Sequence, residues 1–354
     1  MAEGPGATAV RGAFAVARPE WARPGGEAPR GAVGSQRAAA GAAQTEARMQ
    51  VIVAKPRGFC AGVERAIRAV ELALERHGTP VYVRKEIVHN LHVVQRLRER
   101  GAVFVDELDE IPEGAVVVLS AHGSPPEVYA EAARRGLQLI DATCPLVHKV
   151  HAEVRRYSQR GYRIILIGHA GHDEVIGTMG QAPDVTVLVE TLADVARLEL
   201  PAERPGVILT QTTLSQDDTA EIVAALRARF PHLELPPSDD ICYATQNRQN
   251  AVKDMATRID VLLVVGSQNS SNSRRLTEVA RARGVPAYLI DGPEEIDPAW
   301  LAGARRVGVT SGASAPEDVV LGVLAYLRAR GCDVVEEMAA PDEGVVFSLP
   351  RFAG

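Results

Sequence analysis

The sequence predicts an α/β protein: three similar α/β units with parallel-rich sheets, arranged as a pseudo-threefold trefoil around a central cavity. Two observations carry this prediction. Short apolar runs alternate with helical segments along the chain, an order typical of parallel sheets covered by helices. One succession of strand, polar loop, helix, strand and acidic turn also occurs three times, which indicates repeated structural units.

The three units share their strand and loop patterns. Their first strands and loops are VYVRKEIVHN, YRIILIGHAGH and DVLLVVGSQNS, and a second strand and loop follow in VVVLSAHG, GVILTQTT and RVGVTSGAS. The sequence therefore divides into unit 1 at residues 49–143, unit 2 at 144–240, unit 3 at 241–330 and a C-terminal tail at 331–354.

Residues 1–48 differ from the rest of the chain in composition. They contain 15 Ala and 8 Gly and show no periodic apolar pattern. Such a segment buries too little apolar surface to offset the conformational entropy lost on ordering. We predict that it is a disordered extension rich in Ala, Gly and Arg.

Composition also limits the partners and the compartment. The net charge of −6 provides no basic field, so we expect no nucleic-acid partner. The longest strong apolar run, Val261–Val265, is far shorter than the roughly 20 residues that a membrane-spanning helix needs, so we expect no membrane partner. Four scattered cysteines without a secretory signal indicate a reducing compartment, and we predict a cytoplasmic protein.

Three of the cysteines occupy equivalent positions in the repeat. Cys60, Cys144 and Cys242 each open a helical segment, at spacings of 84 and 98 residues. Ligands of open α/β sheets bind beyond the carboxyl ends of the strands, so we expect these thiolates to meet in one cavity and leave a fourth position open. Cys332 instead follows the last helix of unit 3, and we predict an ordinary buried thiol there.

Three converging thiolates fit two kinds of metal site. A zinc ion could take three cysteines and one open position. An iron–sulfur cluster could take the same three cysteines and leave one iron open. The pattern leaves both possibilities open, although ligands from separate units favour the larger cluster.

The loops after the strands carry side chains suited to an anion. His89, His122 and His172 recur in equivalent loops. Hydroxyl and amide side chains lie near helix starts, where backbone N–H groups favour negative charge. These are Thr212, Ser270, Ser271, Asn272 and Ser314. The plain alternative for each is a helix N-cap. Glu174 is the candidate proton donor, because a nearby anion and cluster would raise its pKa.

Several long motifs resemble those of the 4-hydroxy-3-methylbut-2-enyl diphosphate reductases, the LytB family. They are RGFCAGV, DATCPLV, GHAGHDEVIGTMGQ, TQTTLS, DDICYATQNRQ and GSQNSSNS. The resemblance covers about residues 49–350. It implies that Cys60, Cys144 and Cys242 hold a 4Fe-4S cluster with an open apical iron, and that Glu174, helped by Thr212, delivers protons. The implied ligands of the substrate diphosphate are His89, His122, His172, Thr212, Ser270, Ser271, Asn272 and Ser314.

The resemblance also implies a reaction, the last step of the non-mevalonate isoprenoid route. The substrate would lose its hydroxyl reductively and give isopentenyl and dimethylallyl diphosphate. A ferredoxin or flavodoxin is the implied electron donor, since the chain has no dinucleotide-binding fingerprint. Other classes of protein could use the same three thiolates. A hydro-lyase would need no reductant, an iron or redox sensor would show no turnover, and a zinc hydrolase would be colourless.

Overall fold

The computed structural model describes residues 49–201, 204–332, 334–340 and 343–352. The predicted extension at residues 1–48 lies outside these ranges. Among the helices in the described part of the chain, none combines the length and the apolar composition that crossing a bilayer requires.

The described residues form three four- or five-stranded sheets, parallel in every pairing. The predicted three-unit α/β architecture is therefore confirmed. The inner strands are apolar on both faces because helices cover both sides of each sheet. Val261–Val265, for example, is buried at all five positions.

The first sheet has the strand order β3-β2-β4-β5 and the second the order β7-β6-β8-β9. The elements of the first unit are α1 (Ala61–His77), β2 (Val81–Arg84), α2 (Leu91–Glu99), β3 (Ala102–Val105), β4 (Val116–Leu119), α3 (Pro126–Arg134) and β5 (Gln138–Asp141). Those of the second are α4 (Pro145–Gln159), β6 (Arg163–Ile167), α5 (Asp173–Met179), β7 (Thr186–Val189), α6 (Leu192–Arg197), β8 (Gly206–Thr210), α7 (Gln216–Arg229) and β9 (Leu233–Glu234).

The third sheet contains strands from both ends of the described chain, in the order β11-β10-β12-β1-β13. Its elements are β1 (Gln50–Val53), α8 (Tyr243–Met255), β10 (Val261–Val265), α9 (Ser271–Arg281), β11 (Ala287–Ile290), β12 (Arg306–Ser311), α10 (Glu317–Ala329) and β13 (Val334–Glu337). The position that β5 and β9 occupy in their sheets is taken here by β1.

The predicted unit boundaries need a correction at both ends. The predicted unit 1 includes residues 49–60, yet β1 pairs in parallel with β12 and β13 of the third sheet. Part of the predicted tail at residues 331–354 likewise forms β13. An apolar strand does not identify its own partner, and nearness along the chain suggested the first sheet. That sheet already has its fourth strand in β5, whereas the third is completed only when β1 joins it.

Candidate active site

Each of the three cysteines lies where the chain crosses from one sheet to the next. Cys60, Cys144 and Cys242 immediately precede α1, α4 and α8, and the strands before them belong to the preceding sheets. Three such crossovers meet where the three units meet. Their side chains accordingly line a single cavity with about 710 Å³ of empty space, part of it open to solvent.

The N-termini of three helices provide partial positive charge beside the cysteine sulfurs. Each cysteine is the N-cap residue of a helix of at least 13 residues, so three helix N-termini lie beside the three sulfurs. The sulfur of Cys242 accepts a hydrogen bond from the backbone N–H of Thr245 at 3.4 Å and lies 3.2 Å from the hydroxyl oxygen of Thr245. Such donors stabilise a thiolate and the sulfur of a metal-bound cysteine.

The sulfurs influence one another. The pKa of the Cys144 thiol is raised to about 12, chiefly by burial and also by the neighbouring sulfurs of Cys60 and Cys242. Burial likewise raises the pKa of Cys242 to about 11, with Cys60 as the next contribution. A cation bound by these thiols must therefore displace their protons.

Gly62 brings the first two sulfurs together. A Cβ at this position would lie 2.7 Å from Sγ of Cys144 and 3.8 Å from Sγ of Cys60. No real Cβ approaches a heavy atom as closely as the first distance. A side chain here would displace a sulfur from its neighbour.

We expect Gly62→Ala to lower the metal bound per chain at least severalfold, because its methyl group occupies the place of the Cys144 sulfur. Iron and acid-labile sulfide measured on anaerobically purified protein check this. Gly322→Ala is the matched control, since its Cβ would meet nothing closer than 3.7 Å and α10 should gain about 0.5–1 kcal/mol of stability. Full metal content in Gly62→Ala would contradict the expectation.

The spacing of the sulfurs bears on which metal group they fit. A zinc ion with Zn–S bonds of about 2.3 Å holds its thiolates about 3.8 Å apart. The sulfurs of the three cysteines are not all within 4.8 Å of one another. In the described part of the chain, the group of three possible metal ligands that meets this distance is His89, His122 and Asp173. The wider spacing of the sulfurs fits a cluster of several metal ions better than one zinc ion.

Three histidines form another part of the cavity wall. The ring centroids of His89 and His122 are 4.0 Å apart, and His172 lies 5.4 Å and 5.9 Å from them. Burial, and after it the charge of His89, lowers the pKa of His122 well below its usual value and that of His172 to about 3. The Nδ1 atom of His122 is buried without a hydrogen-bond partner. These rings are suited to take up protons when a negatively charged group binds beside them.

The predicted hydroxyl and amide residues line the same cavity, at the start of α9 and in the loops after β8 and β12. The hydroxyl of Ser270 accepts a hydrogen bond from the backbone N–H of Ser273. Ser270 therefore also serves as a helix N-cap, the alternative role considered in the sequence analysis. Ser314 donates to the carbonyl of His89 at 2.9 Å. The side-chain oxygen and nitrogen of Asn272 are both buried without a partner, so Asn272 has unused hydrogen-bonding capacity in the cavity wall.

Glu174 lies in this wall as a buried carboxyl group, 3% exposed. It accepts hydrogen bonds from the backbone N–H of Thr212 at 2.6 Å and from its hydroxyl at 3.0 Å. Burial raises the pKa of Glu174 to about 7, although the two hydrogen bonds oppose the shift. Such a group is poised to give up a proton near neutral pH.

All residues predicted for the site thus line one cavity, and Cys332 lies apart from it, buried in the core of the third unit. Sequence reasoning assigned no role to Gly62 and Thr245, which also line the cavity. The spacing of Cys242 and Thr245 matches a helix-capping pattern and could have indicated Thr245. No sequence signal identified the apolar part of the wall, which includes Val63, Val88, Leu146 and Val147.

Comparison with known proteins is consistent with this geometry. The family model described as "LytB protein" matches residues 51–328. A 4-hydroxy-3-methylbut-2-enyl diphosphate reductase of Mycobacterium ulcerans is 58% identical over 315 residues, covering 89% of this chain and 95% of the relative. A relative from Burkholderia mallei with the corresponding name is 57% identical over 302 residues, 85% of this chain and 93% of its own length.

Two solved structures are also similar. The E-1-hydroxy-2-methyl-but-2-enyl-4-diphosphate reductase of Plasmodium falciparum superposes with a TM-score of 0.84 at 40% identity, covering 86% of this chain and 96% of that chain. A second structure, of the diphosphate reductase described as the terminal enzyme of the non-mevalonate pathway, gives a TM-score of 0.58 at 34% identity and covers 79% of this chain and 99% of that chain.

Proposed function

The chain belongs to the LytB family of 4-hydroxy-3-methylbut-2-enyl diphosphate reductases, and we propose that it removes the hydroxyl group of that substrate reductively. The allylic carbon–oxygen bond breaks, two electrons and two protons enter, and the products are water and isopentenyl or dimethylallyl diphosphate. One observation carries the proposal: three cysteines, three histidines and a buried carboxyl group from different units line one cavity.

The proposed cofactor is a 4Fe-4S cluster held by Cys60, Cys144 and Cys242, with an open apical iron. The wide sulfur spacing and the three helix N-termini support this assignment. When bound, such a cluster supplies electrons one at a time and a Lewis-acidic iron toward the hydroxyl oxygen. The proposed reductant is a ferredoxin or flavodoxin, which accords with the predicted cytoplasmic location.

We assign the substrate diphosphate to His89, His122 and His172 together with the polar residues of the other loops. Those residues are Thr212, Ser270, Ser271, Asn272 and Ser314. The unpartnered Nδ1 of His122, once protonated, and the unpartnered amide nitrogen of Asn272 would donate hydrogen bonds to oxygens of the anion. The apolar wall would then pack against the carbon chain and exclude water from it.

Glu174 is the proposed proton donor, and Thr212 orients it. The two hydrogen bonds from Thr212 fix the carboxyl group in the cavity wall, and burial keeps a substantial fraction protonated near neutral pH. A proton from this carboxyl group turns the departing hydroxide into water, which lowers the barrier to breaking the carbon–oxygen bond.

The direct test is substrate-dependent oxidation of a reduced viologen dye by anaerobically prepared protein. Addition of 4-hydroxy-3-methylbut-2-enyl diphosphate should bleach the dye and yield both five-carbon diphosphates. Conversion of the substrate to a product at the same oxidation level, without any dye oxidation, would favour a hydro-lyase instead. Absence of turnover from protein with a full complement of iron would overturn the reductase proposal and favour a sensor.

The histidine cluster predicts that diphosphate binding takes up protons. His122 and His172 have lowered pKa values, so both are uncharged near pH 7, and the negative charge of a diphosphate raises these pKa values again. The bound state therefore holds more protons than the unbound state. Affinity should be greatest at low pH and should fall as pH rises through the bound-state pKa values.

Calorimetric titration with inorganic diphosphate, in two buffers of different ionisation enthalpy near pH 7, measures this proton uptake. His122→Asn should reduce the uptake and weaken binding by about tenfold. His232→Asn, an exposed histidine outside the cavity, should change neither. Equal apparent enthalpies in both buffers would contradict the prediction.

A further inference from the structure

A buried ion pair lies beside the cysteine loops, and the proposed reaction does not use it. Arg248 is 0% exposed and belongs to α8, the helix that Cys242 begins. Its guanidinium group donates to the carbonyl of Gly58 at 2.9 Å and to that of Ala244 at 3.0 Å. Gly58 comes two residues before Cys60, and Ala244 comes two residues after Cys242. One side chain therefore ties two of the cysteine segments together.

Glu343 balances the charge of this guanidinium group. Its carboxylate oxygens lie 3.2 Å and 3.4 Å from Nη1 of Arg248, and it also accepts from Asn247 at 3.0 Å. Arginine stays protonated in proteins, so a fully buried one needs a counter-charge close by. Glu343, with 15% of its side chain exposed, provides this counter-charge.

The C-terminal segment brings Glu343 to this place. After β13, the backbone N–H of Met338 donates to the carbonyl of Val53 at 2.9 Å. Farther along, Arg65 of α1 donates to the carbonyl of Ser348 at 2.8 Å, and Phe352 packs against the core of the first unit. The described parts of this segment thus contact the third sheet and the first unit, and Glu343 contacts Arg248 through its carboxylate.

We propose that Arg248 and Glu343 are positioning residues of the cysteine site: Arg248 joins the Cys60 and Cys242 segments, and the opposed charges of the pair set the reduction potential of the cluster. The inference rests on the proposed function, because it takes the cluster as the group that the cysteines hold. It makes the C-terminal segment part of the redox site.

The position of the pair supports the assignment, because the guanidinium group contacts the backbone two residues from Cys60 and two residues from Cys242. Net charge and nearby dipoles are main determinants of cluster potential. A positive charge favours the reduced cluster, which carries one more electron, and a negative charge disfavours it.

The two partners should therefore shift the potential in opposite directions. In Glu343→Gln the charge of Arg248 is uncompensated, so the ratio of reduced to oxidised cluster at a fixed potential should rise about tenfold, or about 59 mV for one electron. In Arg248→Gln the same ratio should fall. Anaerobic redox titration followed by electron paramagnetic resonance measures both, without any need for turnover.

Matched variants separate charge from structure. Glu336→Gln removes an exposed partner of Arg258 from the same segment and should leave the potential unchanged. Glu343→Asp keeps the charge and should stay near the wild-type value. If Arg248→Gln does not fold, the direction in which Glu343→Gln shifts the reduction potential is sufficient to test the proposal.

Several results would overturn the inference. They are an unchanged potential in Glu343→Gln, shifts of the same sign in both variants, and a Glu343→Gln protein that folds but holds no iron. Wild-type protein that takes up no cluster under anaerobic reconstitution would overturn the proposed cofactor and this inference together. A normal wild-type cluster whose potential ignores Glu343 would overturn this inference alone.

Discussion

Glu174→Gln is expected to lower kcat by about 10²–10⁴-fold while leaving substrate affinity nearly unchanged. The amide keeps the shape of the carboxyl group and can still accept the backbone hydrogen bond of Thr212, but it has no acidic proton to give. No proposed diphosphate ligand is substituted, and His172, which begins the same helix, contacts Glu174 through the backbone N–H and not through the carboxyl group. The loss should therefore be in kcat and not in KM, measured by anaerobic dye oxidation under single-substrate saturation.

The pH dependence offers an independent check of the same group. Since burial raises the pKa of Glu174 to about 7, its protonated form is lost as pH rises through that value, and kcat should fall with it. The alkaline limb of the kcat profile should disappear in Glu174→Gln, which retains only a slow rate without this titration.

Glu153→Gln is the matched control for Glu174→Gln. Glu153 is also buried, and burial also raises its pKa, to about 7, but it does not line the cavity. We expect its kcat to stay within about twofold of wild type, because an elevated pKa without contact with substrate supplies no catalytic proton. Equal losses in the two variants would show that Glu174 acts through general stability and not as the acid.

The repeat made much of this architecture predictable from the sequence. The three strand and loop motifs recur with their polar residues at the same place, and parallel sheets direct such loops to one end. The equivalent positions of Cys60, Cys144 and Cys242 were therefore sufficient to predict that these residues share one cavity. Cys332 lies at a different point of the repeat and is buried in the core of the third unit.

Contacts between segments that are far apart in the sequence could not be predicted in the same way. Nothing in the strand QVIV indicates that β1 completes the third sheet, since its buried valines and isoleucine suit any parallel neighbour. The pairing of Arg248 with Glu343 joins residues 95 positions apart, and each one reads in the sequence as an ordinary surface charge. Such contacts depend on the closed arrangement of the three units, which local patterns do not encode.

The closed arrangement explains why the cysteines have equivalent positions. Each cysteine follows the fourth strand of one sheet and starts a helix that packs on the next sheet, so each belongs to a junction between units. A group bound by all three holds the three junctions together. Binding energy at the cysteines should therefore contribute to the stability of the whole assembly.

Cys144→Ser is expected to remove the cluster and with it all measurable turnover. A serine hydroxyl has a far higher pKa than a thiol and is a poor ligand for iron, so the second unit would no longer supply a ligand. Iron and sulfide content should fall together with the visible absorbance. The melting temperature should also fall relative to loaded wild-type protein, because the junction between the first and second units loses its link.

Cys332→Ala tests whether the loss of a cysteine outside the cavity also removes the cluster and the turnover. It removes one sulfur from the core of the third unit, at 3% exposure, and leaves the three junction cysteines in place. We expect full iron content and normal turnover, with a loss of about 1 kcal/mol in the free energy of unfolding from the smaller side chain. A cluster retained in Cys144→Ser, or lost in Cys332→Ala, would mean that the sulfurs holding the metal are not those that the three crossovers bring together.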